Sequence, residues 1–128
     1  MTERTKGHHV TVAPSTQHVR VVIDGQVVAD TRRPVVLRET GLPIRYYLPP
    51  DDVDLTLFEP TATRTTCPFK GEAAYWTYRG EDGSEHRDVV WAYPDPLPEV
   101  ALIKGHLSFY DTVARITVEG EPPAAPGA

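Results

Sequence analysis

The residues best suited to chemistry lie close together in residues 65–76, which hold the single cysteine of the chain. Cys67 is followed three positions later by Lys70, and Pro68 and Gly71 bracket the lysine. A cysteine becomes a nucleophile when a nearby cation lowers the pKa of its thiol, and Lys70 can act in this way if the chain turns back. A free cysteine is more often a small buried apolar residue. The spacing leaves both interpretations open.

Two further side chains are candidates for proton transfer or anion binding. Lys70 beside Gly71 has the lysine–glycine order of phosphate-binding loops, although the other P-loop residues are absent. It binds a phosphate or carboxylate, or else it is a solvated lysine at the start of a strand. Glu39 ends an apolar run and is a candidate general base, or equally a surface residue. Cys67, Lys70 and Glu39 are therefore the candidate catalytic residues.

The elements that must position these residues are predicted to be β-strands. Asp24 and Gly25 separate two β-branched runs, which predicts a hairpin, because a type I′ turn needs positive φ at both central residues. Helix is predicted only over residues 98–105, with proline in the first turn and glycine at the end. Further strands are predicted at 35–39, 44–48, 52–59, 73–79, 87–93 and 113–118. Aromatic residues on these strands supply core, and we expect two or three of their rings to lie at a cleft.

The length of 128 residues and the hydrophobic fraction of 40% are typical of one globular domain. The predicted organisation has three parts. Residues 1–17 form a flexible N-terminal segment, residues 18–119 form the β domain, and residues 120–128 form a disordered tail rich in proline and alanine.

Composition excludes several classes of function. The net charge of −5, with scattered basic residues, argues against nucleic-acid binding. No apolar run approaches the roughly 20 residues needed to cross a membrane. One cysteine and five scattered histidines do not make a zinc site, and dinucleotide and serine-hydrolase motifs are absent, so we predict neither metal nor cofactor. A single cysteine and an N-terminus without an apolar stretch indicate the cytoplasm.

Several blocks, taken together and in order, resemble the signature of a bacterial and fungal family known as domain of unknown function 427. The blocks are Ala29-Asp30-Thr31, Leu37-Arg38-Glu39, Tyr46-Tyr47-Leu48-Pro49, Thr66-Cys67-Pro68-Phe69-Lys70-Gly71, Tyr75-Trp76, Trp91-Ala92-Tyr93-Pro94, Ile103-Lys104-Gly105-His106 and Phe109-Tyr110. The resemblance covers nearly all of residues 18–119. It implies one small, mainly antiparallel β domain, tent-like or barrel-like, with at most one short helix. The family also carries a nucleotidyltransferase-like label, but the resemblance implies no established activity.

Three functions remain open. Since the polar members of the motif lie at strand ends and turns, we expect a small polar or anionic metabolite, such as a nucleotide, to bind in an aromatic cleft. In this hypothesis Lys70 pairs with the anion, Glu39 accepts hydrogen bonds and aromatic rings stack on the ligand. One alternative is an enzyme with Cys67 as nucleophile and Lys70 or Glu39 as the proton-transfer group. The other is a protein-interaction module, for which a homodimer formed through an edge strand is one version. The predicted ligand-binding residues are Glu39, Tyr47, Cys67, Lys70, Trp91 and Tyr93.

Overall fold

Short runs of β-branched and aromatic residues form antiparallel strands in the computed structural model, which describes residues 7–125. The strands are β1 (Val10–Pro14), β2 (His18–Ile23), β3 (Gln26–Thr31), β4 (Val35–Glu39), β5 (Arg45–Tyr47), β6 (Phe58–Cys67), β7 (Gly71–Arg79), β8 (Glu85–Ala92), β9 (Leu107–Phe109) and β10 (Arg115–Glu119). Three short 3₁₀ helices complete the described secondary structure: Pro50–Asp52, Leu55–Leu57 and Pro98–Ile103. The predicted mainly antiparallel β domain is therefore confirmed.

The strands are arranged in three sheets. Their orders are β1-β4-β5, β10-β2-β3 and β6-β7-β8-β9, and every pairing within them is antiparallel. An isolated bridge between Leu48 and Leu107 joins the first sheet to the third. The sheets do not close into one barrel, which favours the tent-like of the two expected shapes.

Two groups of buried side chains hold the sheets together. The larger one lies between the second and third sheets and includes Val21, Ile23, Tyr78 and Phe109, each no more than 1% exposed. The smaller one lies between the first and third sheets and includes Leu37 and Tyr47 of the first sheet. It also contains three side chains of the third sheet, the residue that follows β8 by one position, and two side chains of the last 3₁₀ helix: Ala73, Tyr75, Trp91, Tyr93, Val100 and Ile103. The candidate site lies on this smaller group.

The two strongest local predictions are confirmed. Asp24 and Gly25 have φ values of 51° and 82°, as the predicted type I′ turn between β2 and β3 requires. The helix predicted over residues 98–105 is present as the 3₁₀ helix Pro98–Ile103, with Pro98 in its first turn.

The strand predicted over residues 52–59 is wrong for most of its length. Val53 and Leu57 are buried, but Leu55, which the alternation placed on their face, is 47% exposed. The Asp54 carboxylate accepts hydrogen bonds from the backbone and the hydroxyl of Thr56. This local cap stabilises a turn in place of an extended strand, so the 3₁₀ helix Leu55–Leu57 forms.

Three strands were not predicted. Strand β1 lies inside residues 1–17, which the sequence assigned to a flexible segment; it forms because its residues pair with β4 along its whole length. Residues 1–6 lie outside the described part of the chain. Strand β6 contains many threonines and a proline, and it is an edge strand, where proline is tolerated. Strand β9 has only three residues. In the predicted tail, residues 121–125 contain no helix or strand, and residues 126–128 lie outside the described part.

Candidate functional site

A cavity of about 210 Å³ opens between the first and third sheets. Its walls come from β4, β5, β7 and β8, from the turn before β7, and from the segments that follow β4 and β9. The lining residues are Leu37, Glu39, Leu42, Pro43, Arg45, Tyr47, Lys70, Tyr75, Trp91, Tyr93 and Tyr110.

Strand periodicity explains the wall built by the first sheet. Leu37 and Glu39 are two residues apart in β4, and Arg45 and Tyr47 are two residues apart in β5. Side chains at such spacing point to the same face of a strand. Leu37 is the cross-strand partner of Arg45, so the two pairs share one face of the sheet. This face therefore presents the Glu39 carboxylate, the Arg45 guanidinium and the Tyr47 phenol to the cavity.

The opposite wall is aromatic. Tyr75 of β7 and Trp91 of β8 are cross-strand partners, and Tyr93 follows Trp91 at the same strand spacing. Tyr47 meets Trp91 edge to face, with ring centroids 6.3 Å apart, and the Trp91 indole N–H donates to the Tyr47 hydroxyl over 3.2 Å. Tyr110 also packs against Trp91, in a tilted arrangement with ring centroids 4.5 Å apart. The Trp91 ring is thus fixed by its neighbours.

A tight turn brings Lys70 to the cavity. Cys67 and Gly71 are paired at the ends of β6 and β7, and the Lys70 N–H donates to the Cys67 carbonyl over 3.2 Å. The Lys70 carbonyl in turn accepts a hydrogen bond of 2.9 Å from the Leu97 N–H. Gly71 has φ of +120°, and a Cβ there would lie 3.4 Å from the backbone oxygen of Asp95. The turn predicted around Pro68 and Gly71 is therefore present, and both its sides are anchored.

Lys70 and Glu39 form a buried ion pair at the cavity wall. Lys70 Nζ lies 2.6 Å from Glu39 Oε1, and the two side chains are only 11% and 10% exposed. The second oxygen of Glu39 lies 2.9 Å from His8 Nε2, and the His8 ring stacks on Phe69 at a centroid distance of 4.1 Å. Lys70 Nζ also lies 3.6 Å from Cys67 Sγ. Lysine is almost never so buried unless it is paired, as it is here.

The environment of Glu39 acts on its pKa in two opposite directions. Burial raises the pKa because it disfavours the charged carboxylate. The hydrogen bond and charge of Lys70, with a smaller contribution from His8, outweigh burial, so the pKa of Glu39 is lowered overall. Glu39 is therefore ionised at neutral pH.

Arg45 supplies a second cation at the cavity wall. Its guanidinium carbon lies 5.0 Å from the centroid of the Trp91 ring, within the range of a cation–π interaction. No carboxylate of residues 7–125 forms an ion pair with Arg45. The charged lining residues are thus one carboxylate and two cations, which gives the wall a net positive charge.

Three tyrosines of the cavity, Tyr47, Tyr93 and Tyr110, have raised pKa values and stay protonated far above neutral pH. Burial raises the pKa of Tyr47 to about 12 and also raises that of Tyr93. Burial, reinforced by the neighbouring Tyr75 hydroxyl, raises the pKa of Tyr110 to about 12. Because the Tyr47 hydroxyl already accepts the indole N–H of Trp91, its own proton can be donated to a molecule in the cavity.

Five of the six predicted ligand-binding residues line this cavity: Glu39, Tyr47, Lys70, Trp91 and Tyr93. Cys67 does not line it; its half-buried side chain contacts Lys70 and packs against the smaller core group. Arg45 was not predicted as a site residue, although its spacing of two from Tyr47 within the predicted strand was a usable signal. His8 gave no such signal, because its contact with Glu39 joins residues 31 positions apart.

A protein family described as a domain of unknown function (DUF427) matches residues 11–120. The chain belongs to this family. The DUF427 match includes all eleven residues that line the cavity. No curated protein matches the chain.

Within residues 7–125, no group of three or more His, Cys, Asp or Glu side chains is arranged to hold a metal ion. None of the helices in the described part is long and apolar enough to span a membrane. The acidic residues near position 52 have local structural roles: Asp52 accepts a hydrogen bond from Thr31, and Asp54 caps its own 3₁₀ helix.

Proposed function

We propose that this DUF427 domain binds a small organic anion with a planar or aromatic group in the cavity between β4–β5 and β7–β8. The observation that carries this proposal is Arg45, a cation on the cavity wall that is stacked on Trp91 and has no ion-pair partner in the described chain. A guanidinium recognises carboxylate and phosphate groups through paired hydrogen bonds. The Glu39–Lys70 pair neutralises itself, so Arg45 provides the unbalanced charge.

The aromatic wall supports a planar ligand. Tyr75, Trp91 and Tyr110 present ring faces or edges to the cavity, and the Tyr47 hydroxyl offers a hydrogen bond. A volume of about 210 Å³ lies below the roughly 300–1,000 Å³ typical of pockets for drug-sized ligands, so we favour a compact metabolite over a whole nucleotide. The single cysteine supports a reducing compartment such as the cytoplasm.

The proposal is tested by calorimetry with phenyllactate, an aromatic hydroxy acid, and with a matched alcohol that lacks the carboxylate. Arg45→Met removes the guanidinium and keeps an apolar stem over Trp91. We expect it to weaken phenyllactate binding about 10-fold to 100-fold, because a charge-assisted hydrogen bond contributes roughly 1.5–3 kcal/mol.

Arg87→Met is the matched control, since Arg87 is an exposed arginine that does not line the cavity. It should bind phenyllactate with the affinity of the wild type. Equal affinity of Arg45→Met and wild type for phenyllactate would refute the assignment of Arg45, and equal binding of the alcohol would refute an anion site.

A further inference from the structure

We propose that Lys70 is a carbonyl-reactive amine, which forms an iminium adduct with a 2-oxo acid bound in the cavity. This inference rests on the proposed anion-binding function, because Arg45 would hold the carboxylate of the same molecule. It narrows the ligand class from organic anions to those with a ketone beside the acid group. Lysine amines form Schiff bases with carbonyl substrates in many enzymes.

The first support is the position of Lys70. Its ammonium belongs to a side chain that is only 11% exposed, yet the residue lines the cavity instead of facing bulk water. Both flanks of its turn are fixed by backbone hydrogen bonds, from the Lys70 N–H to Cys67 and from the Leu97 N–H to Lys70. Ordering a long lysine side chain costs up to about 2 kcal/mol, and desolvating its charge costs more. A role as a reactive amine explains why the fold bears the cost of ordering and desolvating Lys70.

The second support is the proton acceptor next to the amine. Glu39 Oε1 lies 2.6 Å from Lys70 Nζ, which is within the range for direct proton transfer. His8 fixes the other oxygen of the carboxylate, at 2.9 Å. The carboxylate is therefore oriented with one oxygen on the ammonium and the other on the imidazole.

The third support is the set of side chains that line the cavity together with the Lys70 amine. Arg45, on the wall that also carries Glu39, can hold a carboxylate, and the rings of Trp91 and Tyr75 can cover a planar substituent. The Tyr47 hydroxyl can donate a hydrogen bond to the oxygen of a carbonyl. A 2-oxo acid offers a carboxylate and a carbonyl on adjacent carbons, so it can use both kinds of group at once.

The step conserves atoms and charge. Glu39 takes one proton from the Lys70 ammonium, and the neutral amine adds to the carbonyl carbon, forming a C–N bond as the C–O π bond breaks. One proton then moves from the cationic nitrogen to the oxygen, which gives a neutral carbinolamine with a lone pair on nitrogen and a hydroxyl on carbon. The hydroxyl then takes the proton held by Glu39 and leaves as water, and the nitrogen lone pair forms the C=N bond. One ammonium and one ketone thus give one iminium ion and one water, without any oxidant or reductant.

Reductive trapping tests the inference on the wild-type chain. The protein is incubated with phenylpyruvate and sodium cyanoborohydride, and the adducts are located by peptide mass spectrometry. Lys104 is an exposed lysine in the same molecule and serves as the internal control. We expect Lys70 to be labelled on the order of 100-fold faster than Lys104, from the usual contribution of a positioned proton-transfer group.

The Glu39→Gln variant distinguishes a Lys70 amine that Glu39 activates from one that is merely accessible to the reagent. The amide keeps the shape of the side chain but cannot take the proton, so we expect labelling of Lys70 to slow on the order of 100-fold. Circular dichroism checks that the variant is folded. If Lys70 and Lys104 of the wild type are labelled at equal rates, or if the folded Glu39→Gln variant reacts as fast as the wild type, the inference is wrong.

Two further probes distinguish the failure of this inference from the failure of the proposed function. Phenyllactate has the carboxylate without the ketone, and phenylacetone has the ketone without the carboxylate. Binding of phenyllactate without trapping of phenylpyruvate at Lys70 would overturn the reactive lysine and keep the anion site. Trapping of phenylacetone at the rate of phenylpyruvate would keep the reactive lysine and remove the anion site. Slower trapping of phenylacetone supports both.

Discussion

Removal of the Glu39 carboxylate should destabilise the domain strongly. The substitution Glu39→Ala leaves the Lys70 ammonium in a position where its side chain is 11% exposed and its partner at 2.6 Å is gone. The sulfur of Cys67 remains 3.6 Å away, but a thiol is only a weak acceptor. Breaking a buried ion pair by removal of one partner costs about 3–5 kcal/mol. We expect a loss of at least 3 kcal/mol, which is large against the 5–15 kcal/mol typical of a domain.

A double-mutant cycle isolates the contribution of the pair. Lys70→Met leaves the Glu39 carboxylate buried, whereas Glu39→Leu with Lys70→Met removes both charges and fills the space with apolar groups. Replacement of a whole buried pair by apolar residues is often neutral or stabilising. We therefore expect the double variant to be more stable than either single variant, Glu39→Leu or Lys70→Met, with a coupling energy of at least about 3 kcal/mol, because the buried unpaired charge of each single variant is absent from the double variant.

The assay is urea denaturation, followed by tryptophan fluorescence and circular dichroism, with midpoints compared at constant m-value. Glu72→Gln is the matched control, because Glu72 is exposed and takes part in no ion pair among residues 7–125; it should change stability by less than about 0.5 kcal/mol. If Glu39→Ala costs less than about 1 kcal/mol and shows no coupling to Lys70→Met, the pair behaves as a screened surface pair and the reasoning fails.

Three further predictions concern pH and backbone geometry. The pKa of Glu39 is below its ordinary value of 4.5 in the folded state, so the stability that its carboxylate contributes is present above pH 4.5 and is lost as pH falls. The free energy of unfolding of Glu39→Gln should therefore fall less steeply between pH 5 and 3 than that of the wild type, and equal slopes for the two proteins would contradict this prediction. The pKa of Tyr47 is raised to about 12, so the stability that its protonated hydroxyl contributes is lost as pH rises above the ordinary value of 10. Tyr47→Phe should therefore lose less stability than the wild type between pH 10 and 12, and equal losses in the two proteins would contradict this prediction. Gly71→Ala should cost about 1–3 kcal/mol and more than Gly83→Ala, because φ of +120° at Gly71 lies further from the left-handed region that other residues can adopt than φ of +88° at Gly83; thermal unfolding that shows equal losses would refute the difference.

Local chemistry explains why some elements could be predicted from the sequence. A type I′ turn has few suitable residue pairs, so Asp24 and Gly25 define the β2–β3 hairpin without knowledge of the rest of the fold. Pro68 and Gly71 define the turn before β7 in the same way. Strand β4 was predicted with its observed bounds, Val35–Glu39, because its apolar run is interrupted on both sides. In each case the signal lies within a few residues of the element.

Other elements depend on partners that are remote in sequence. Strand β1 is stabilised by pairing with β4, whose residues lie more than 20 positions away, and nothing in its own composition requires that partner. Strand β6 has mainly exposed side chains, so it lacks the alternation that marks a half-buried strand. Tertiary pairing decides both cases, since β-propensity alone is a weak signal.

The sequence identified candidate residues for the site because the motif residues lie at strand ends and turns, but it did not show how these residues pair. Glu39 at the end of β4 and Lys70 in the turn before β7 are 31 positions apart, and only the packing of two sheets brings them to 2.6 Å. Their direct pairing changes the role expected for Lys70, which was to bind an anion directly. Arg45 takes that role in the proposed function, because its guanidinium has no ion-pair partner among residues 7–125.

The ion pair and the cavity together distinguish a structural role of Lys70 from a functional one. A pair kept for stability would cost the domain stability when both residues are replaced by apolar ones, whereas replacement of a whole buried pair is often neutral or stabilising. The Glu39→Leu, Lys70→Met double variant should therefore keep or exceed the stability of the wild type while it loses all trapping of phenylpyruvate at position 70. If the double variant keeps its stability but loses this reactivity, the ion pair belongs to a functional site that costs the fold some stability. A double variant that unfolds would show instead that the two charges are needed to hold the first and third sheets together.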